Sequence, residues 1–190
     1  MLSRVFGYGR RSFQSLSEQE VLALAISSEE DDGRIYRAYA DGLADRYPDS
    51  AAIFEEMARE EDRHRAALID LHRQRFGDRI PLIRREHVRG YYQRRPDWLV
   101  RPLGLETVRA QAAMMEASAA RFYEEALKRT RDAGTRKLLG DLAAAEKGHE
   151  TLAHRLEATH LPQDVREREQ ADERRQFVLT YVQPGLAGLM

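Results

Sequence analysis

Residues 53–71 read IFEEMAREEDRHRAALIDL, and residues 138–156 read LLGDLAAAEKGHETLAHRL. Set one above the other, they align Glu61 with Glu146 and His64 with His149. A spacing of three puts Glu and His on one face of a helix, one turn apart, where both can reach a common ion. In each segment the pair interrupts an apolar stripe: Ile53, Phe54, Met57, Leu68 and Leu71 in the first, Leu138, Leu139, Leu142, Leu152 and Leu156 in the second. A helix buries such a stripe against its neighbours, so these carboxylates and imidazoles point inward with it.

The match extends upstream. Glu29 is followed by Tyr36 and Glu116 by Tyr123, each at seven residues, and the lone Glu precedes the Glu of Glu-x-x-His by 32 residues in one half and 30 in the other. Four carboxylates in a helical core are unfavourable unless something neutralises them. Two divalent cations with two neutral His bring that charge to zero. Each ion would take one His, one terminal carboxylate and a share of two bridging carboxylates, with positions left for dioxygen, peroxide or water. The predicted ligands are Glu29, Glu61, His64, Glu116, Glu146 and His149, a set that matches the di-iron carboxylate bundles. Two iron ions per chain are expected, and manganese or zinc could substitute, because affinity alone does not select iron.

Tyr36 and Tyr123 lie about two turns from their Glu on nearly the same face, as core aromatics or as hydroxyls that bond a ligand carboxylate or a bound oxygen species. Asp32 has no acidic twin, since Ala119 holds the equivalent place; it reads as an extra ligand or as a carboxylate beside the ligands. Gly33 and Gly148, mid-helix and costly there, suggest close helix approach. A further pair, Glu157 and His160, has no counterpart opposite and sits just before Leu161-Pro162; it reads as capping or solvated.

Prolines at 48, 81, 96, 102, 162 and 184 mark where helices cannot run. Four helices are expected at about 17–46, 50–76, 105–131 and 134–159, with Asp132-Ala133-Gly134 splitting the last two. Ser17 and Glu20 form a capping box, Leu16 and Val21 a hydrophobic staple, and Asp49 is the expected N-cap of the second helix. Tight turns make each pair an antiparallel hairpin, and the connection over 77–104 is long enough to cross the height of a bundle. The expected fold is an all-α, ferritin-like four-helix bundle with a long crossover between helices two and three. An N-terminal arm (1–16) precedes the bundle (17–160). From 161 to 190 a polar stalk helix follows, with only Val165 and Ala171 apolar between Gln163 and Gln176, and the chain turns apolar after Phe177.

With 31 Lys plus Arg against 32 Asp plus Glu, the net charge of -1 excludes a strongly basic nucleic-acid binder. Zero Cys removes disulfides, thiolate zinc sites and iron–sulfur clusters. No apolar run approaches the ~18 residues of a membrane span, and no signal-peptide core is present, so a soluble chain is expected. Seven Arg between 78 and 103, among Tyr91, Tyr92 and Trp98, read best as partners for acidic helix faces, and the arm's Arg4, Arg10 and Arg11 among aromatics as a loose tail.

The run Glu29-Glu30-Asp31-Asp32-Gly33-Arg34-Ile35-Tyr36, the Glu61-x-x-His64 helix, the connector Ile80-Pro81-Leu82-Ile83-Arg84-Arg85, and Met115-Glu116 leading to Arg121-Phe122-Tyr123 resemble the erythrin-vacuolar iron transporter family, also called membrane-bound ferritin. The resemblance implies a rubrerythrin-like ferritin domain on the cytoplasmic side of a bacterial inner membrane. In that family it is joined to a C-terminal transmembrane iron-transport domain absent from this chain, and it is associated with iron export and with resistance to iron and peroxide stress. The implied iron ligands are the same six residues. The absence of Cys departs from two-domain rubrerythrins, whose rubredoxin-like module supplies electrons. The expected function is Fe(II) binding, with oxidation by O2 or H2O2 to supply or gate transport; a non-catalytic iron sensor and a rubrerythrin-like peroxidase are the alternatives. A homodimer is expected, because a polar stalk with no face to bury favours pairing.

Overall fold

The computed structural model describes residues 11–89, 104–157 and 161–181. Four helices form the bundle: α1 (Glu18–Leu43), α2 (Pro48–Phe76), α3 (Leu105–Arg129) and α4 (Ala133–Glu157); a fifth, α5 (Gln163–Tyr181), follows. Helices α1 with α2 and α3 with α4 pack as hairpins, and the hairpins meet through α1 with α3 and α2 with α4. The fold is the all-α, ferritin-like bundle with a long α2–α3 crossover. Among the described residues no helix is long and apolar enough to cross a membrane.

Local chemistry sets the helix ends. Ser17 accepts from Glu20 N at 3.2 Å while the Glu20 carboxylate accepts from Ser17 N at 2.9 Å, closing the capping box of α1. The second helix starts at Pro48, not after Asp49, because proline at the first position forfeits only an amide that would be unsatisfied anyway. Asp132 caps α4, its Oδ1 accepting from Thr135 N at 2.8 Å. Gly77, at φ 81°, ends α2 in the left-handed region that favours glycine.

Apolar side chains gather in two clusters at different heights. One holds Leu22, Leu24, Leu68, Phe122, Tyr123, Leu139 and Leu142; the other holds Ile35, Tyr36, Leu43, Phe54, Met57, Val108 and Met115. Between them lies a polar layer, Glu29, Glu61, Glu116 and Glu146, one from each helix. Gly33 belongs to this layer: a Cβ there would meet Glu61 Cβ and Arg37 Nη1 at 3.4 Å, so glycine lets α1 and α2 approach. Gly148 does not act this way, since a Cβ on it would meet nothing within 4 Å.

The described part of the crossover, residues 77–89, lies along α1. Ser27 Oγ donates to Ile83 O at 3.0 Å, and Arg85 donates to Ser28 Oγ and Ser28 O, each at 3.0 Å, and to Asp32 Oδ2 at 2.6 Å. A short parallel bridge joins Arg11–Ser12 (β1) to Val88–Arg89 (β2). The arm is therefore no loose tail over residues 11–16. Phe13 and Leu16 are buried, Phe13 packs edge-on against Phe122, and the Arg129 guanidinium stands over its ring while donating to Gln14 O and Leu16 O. Arg4 and Arg10, the aromatics Tyr91, Tyr92 and Trp98, and His160 lie outside the described residues.

The start of α5 also has something to bury. Glu169 is buried; its carboxylate accepts from Tyr47 Oη at 2.7 Å and from Leu105 N, at the start of α3, at 3.0 Å. Glu106 returns the contact by accepting from Leu161 N at 3.0 Å. A carboxylate at a helix N-terminus satisfies an orphan amide and meets the positive end of the helix dipole, so a charged segment docks without an apolar face.

Candidate metal centre

Each helix contributes to the polar layer because its apolar stripe faces the bundle axis and the acid stands in that stripe. Glu29, Glu61, Glu116 and Glu146 are 1–3 % exposed. His64 and His149 enter one turn further along α2 and α4, their rings 6.3 Å apart and nearly parallel.

All six residues predicted as ligands come together. They form two overlapping quartets, Glu29–Glu61–His64–Glu146 and Glu61–Glu116–Glu146–His149, in each of which the ligand atoms lie within 4.8 Å of one another. Glu61 and Glu146 belong to both. His64 Nδ1 stands 3.5 Å from Glu29, 3.5 Å from Glu61 and 3.3 Å from Glu146; His149 Nδ1 stands 3.3 Å from Glu116. Five buried atoms in this layer have no hydrogen-bond partner: Glu29 Oε2, His64 Nδ1, Glu116 Oε2, Glu146 Oε1 and His149 Nδ1. Buried polar atoms are otherwise nearly always satisfied, so this concentration of orphans fits divalent ions in the layer.

The two tyrosines reach across the bundle. Tyr36, on α1, donates to Glu116 Oε1 on α3, and Tyr123, on α3, donates to Glu29 Oε1 on α1. Each hydroxyl thus fixes one oxygen of a lone Glu and leaves the other facing the centre. Asp32 stands outside both quartets and is the buried ion-pair partner of Arg85. The predicted pairing of the connector with acidic helix faces holds at Arg85 and at Arg84, 3.7 Å from Asp31.

The electrostatics show the strain of gathered charge. Burial, with the Glu29 charge next, pushes the Glu61 carboxyl well above the ordinary range, and burial does the same to Glu146. Burial also acts to raise Glu29, but the close approach of Glu61 and His64 and the bond from Tyr123 outweigh it and hold that carboxyl down. His64 is pushed up to about 12: burial opposes its protonated form, and the carboxylates of Glu146, Glu29 and Glu61 override it. Burial, then the charges of Glu29 and Glu146, lift the Tyr123 phenol, which therefore stays a hydrogen-bond donor.

One contact at this site has no forewarning in the sequence. His149 Nε2 stands 2.9 Å from Glu60 Oε2. Glu60 sits in the acidic run Glu55, Glu56, Glu60, Glu61, Asp62, where it looks like part of a solvated face.

The family model described as rubrerythrin matches residues 20–157, nearly the whole of the four bundle helices. A solved structure of a hypothetical protein from Pyrococcus furiosus shares the fold, with a TM-score of 0.61 at 21% identity, covering 77% of this chain and 91% of that one. No curated protein matches the sequence.

Proposed function

The chain belongs to the rubrerythrin family, and on that premise we propose that its bundle binds a pair of iron ions and uses them to reduce hydrogen peroxide. Glu29, Glu61, His64, Glu116, Glu146 and His149 would hold the pair. The observation that carries this reading is the set of five partnerless ligand atoms turned towards one another inside an apolar core. Iron held there would supply the two electrons that, with two protons, convert hydrogen peroxide to two waters.

The residues of the chain orient the ligands and keep water out. Tyr36 and Tyr123 hold Glu116 and Glu29 by one oxygen each, so neither carboxylate has to give up a rotamer when an ion arrives. Apolar clusters on both sides of the layer exclude bulk solvent, which strengthens every charge interaction within it. These 190 residues contain no Cys and so no thiolate-bound iron centre; electrons for a further cycle come from a donor outside them.

A finer reading makes Fe(II) a cargo, oxidised by O2 or H2O2 on behalf of a membrane iron exporter. Its support is the run Glu29–Tyr36 and the connector Ile80–Arg85, residues that resemble the erythrin type. The test common to both readings is anaerobic loading with Fe(II), followed by mixing with H2O2 or with O2. The peroxide reading expects two Fe(II) per chain and one peroxide consumed per two Fe(II), faster than any reaction with O2. Binding well below two per chain, or peroxide consumption no faster than with free Fe(II), refutes it. A faster reaction with O2 favours the cargo reading.

A further inference from the structure

Both imidazoles turn Nδ1 towards the centre of the site and Nε2 away from it. For His149 the outer nitrogen has a partner, Glu60 Oε2 at 2.9 Å. Glu60 precedes Glu61 on α2, and the matching position on α4, just before Glu146, is Ala145. Accordingly, the acids within reach of His64 among the described residues are Glu29, Glu61 and Glu146, all on its Nδ1 side. The internal repeat is twofold in the six ligands and breaks at the residue behind one histidine.

An imidazole whose Nε2–H donates to a carboxylate is fixed in the tautomer that leaves the Nδ1 lone pair free for a metal. Its ring is also locked in orientation, and the carboxylate makes it a stronger donor to the ion. Loss of such a partner weakens metal binding by about 10–100-fold in metal sites generally. Glu60 is half-buried, and Arg63 stands 3.9 Å from the same carboxylate, so the acid is held and only partly solvated.

We propose that Glu60 is a positioning residue that makes the two metal positions unequal, so that the position served by Glu61, Glu116, Glu146 and His149 fills before the one served by Glu29, Glu61, Glu146 and His64. The inference rests on the reading of this layer as a two-metal site. Order of filling then matters: the first ion neutralises Glu61 and Glu146 in part, and the second enters a site already set by the first.

The test is an anaerobic titration of the metal-free protein with Co(II), followed by calorimetry and by visible absorbance. The native protein should bind two Co(II) in steps separated by about 10–100-fold. Glu60→Ala should weaken the tighter step by a similar factor and leave the weaker step in place, and Glu60→Gln, which keeps an acceptor for Nε2–H, should recover part of the loss. The reciprocal variant Ala145→Glu offers His64 a carboxylate and should tighten the weaker step. Two Co(II) bound in equal steps by the native protein, or a Glu60→Ala variant with both steps unchanged or both weakened alike, overturns this inference while the two-metal reading stands. Fewer than two Co(II) bound by the native protein overturns both.

Discussion

Replacing Tyr123 by Phe removes one oxygen atom and keeps a fully buried ring, so it separates the two roles open to this side chain. If the tyrosine is only a core aromatic, little changes, because the packing against Phe122, 5.1 Å between ring centroids, is retained. If the hydroxyl holds a ligand, the buried Glu29 carboxylate loses a donor. A hydrogen bond to a charged group contributes about 1.5–3 kcal/mol, and loss of a group that orients a ligand costs about 10–100-fold in metal affinity, or about 1.4–2.7 kcal/mol. The two tyrosines hold different acids: Glu29 belongs to the quartet with His64, and Glu116 to the quartet with His149. Tyr123→Phe should therefore weaken one metal-binding step and Tyr36→Phe the other, and the double variant should weaken both. Competition with a chelator of known affinity, read by Co(II) absorbance, resolves the steps, and urea unfolding of the metal-free variants reports the stability term. Affinities within twofold of native for both single variants, with unchanged metal-free stability, would falsify the ligand-holding role.

Arg85→Met removes the guanidinium that pairs with Asp32 where the two are only 9 % and 5 % exposed, so stability should fall by about 3–5 kcal/mol; adding Asp32→Leu should recover most of it, since two apolar groups replace a buried pair at little net cost. A double-mutant cycle in urea checks this, and additive losses would refute it. Glu169→Ala should cost about 1–2 kcal/mol by leaving Leu105 N without its acceptor, and hydrogen exchange should show α5 losing protection while the centres of α1 to α4 keep theirs. Acid stability offers a further check. The Arg11 bond, opposed by burial and aided by Ser17, lowers Glu20 to about 2 from an ordinary 4.5. The capping contribution of about 1 kcal/mol should thus be complete above pH 4.5 and disappear as pH falls towards 2. Glu20→Gln should flatten that part of the stability profile, and an unchanged slope would count against the assignment.

The bundle and its polar layer were legible in the sequence for one reason: a charged residue on an apolar stripe has only one direction to face. Glu61, His64, Glu146 and His149 announce themselves in this way, and Glu29 and Glu116 follow from the repeat. The partners of these residues were not legible, because they depend on which helices face each other across the axis. The donation from Tyr36 to Glu116 joins residues 80 positions apart, and nothing along either helix specifies that crossing. Glu60 and Glu169 were hidden by their surroundings, since an acid that finds a partner inside a run of charges has the same local pattern as a solvated one. Gly148 misled in the opposite direction: a mid-helix glycine signals close approach only where something stands opposite, as Glu61 does for Gly33.

The places where the repeat breaks follow from topology. A bundle of two similar hairpins could be twofold throughout if the hairpins were separate chains. A single chain joins them by one crossover, and the described part of that segment, residues 77–89, lies along one helix. Here that is α1, and among the residues of α1 that meet it is Asp32, paired with Arg85. The equivalent position on α3 is Ala119; an unpaired acid in its place would carry a desolvation penalty with nothing to offset it. Asymmetry in the ring of residues around the ligands is then expected even while the ligands stay symmetric, because ions constrain the six and the connection constrains the rest. The contrast of Glu60 with Ala145 lies in that outer ring. It makes two chemically similar quartets distinguishable without altering a single atom that a metal would touch.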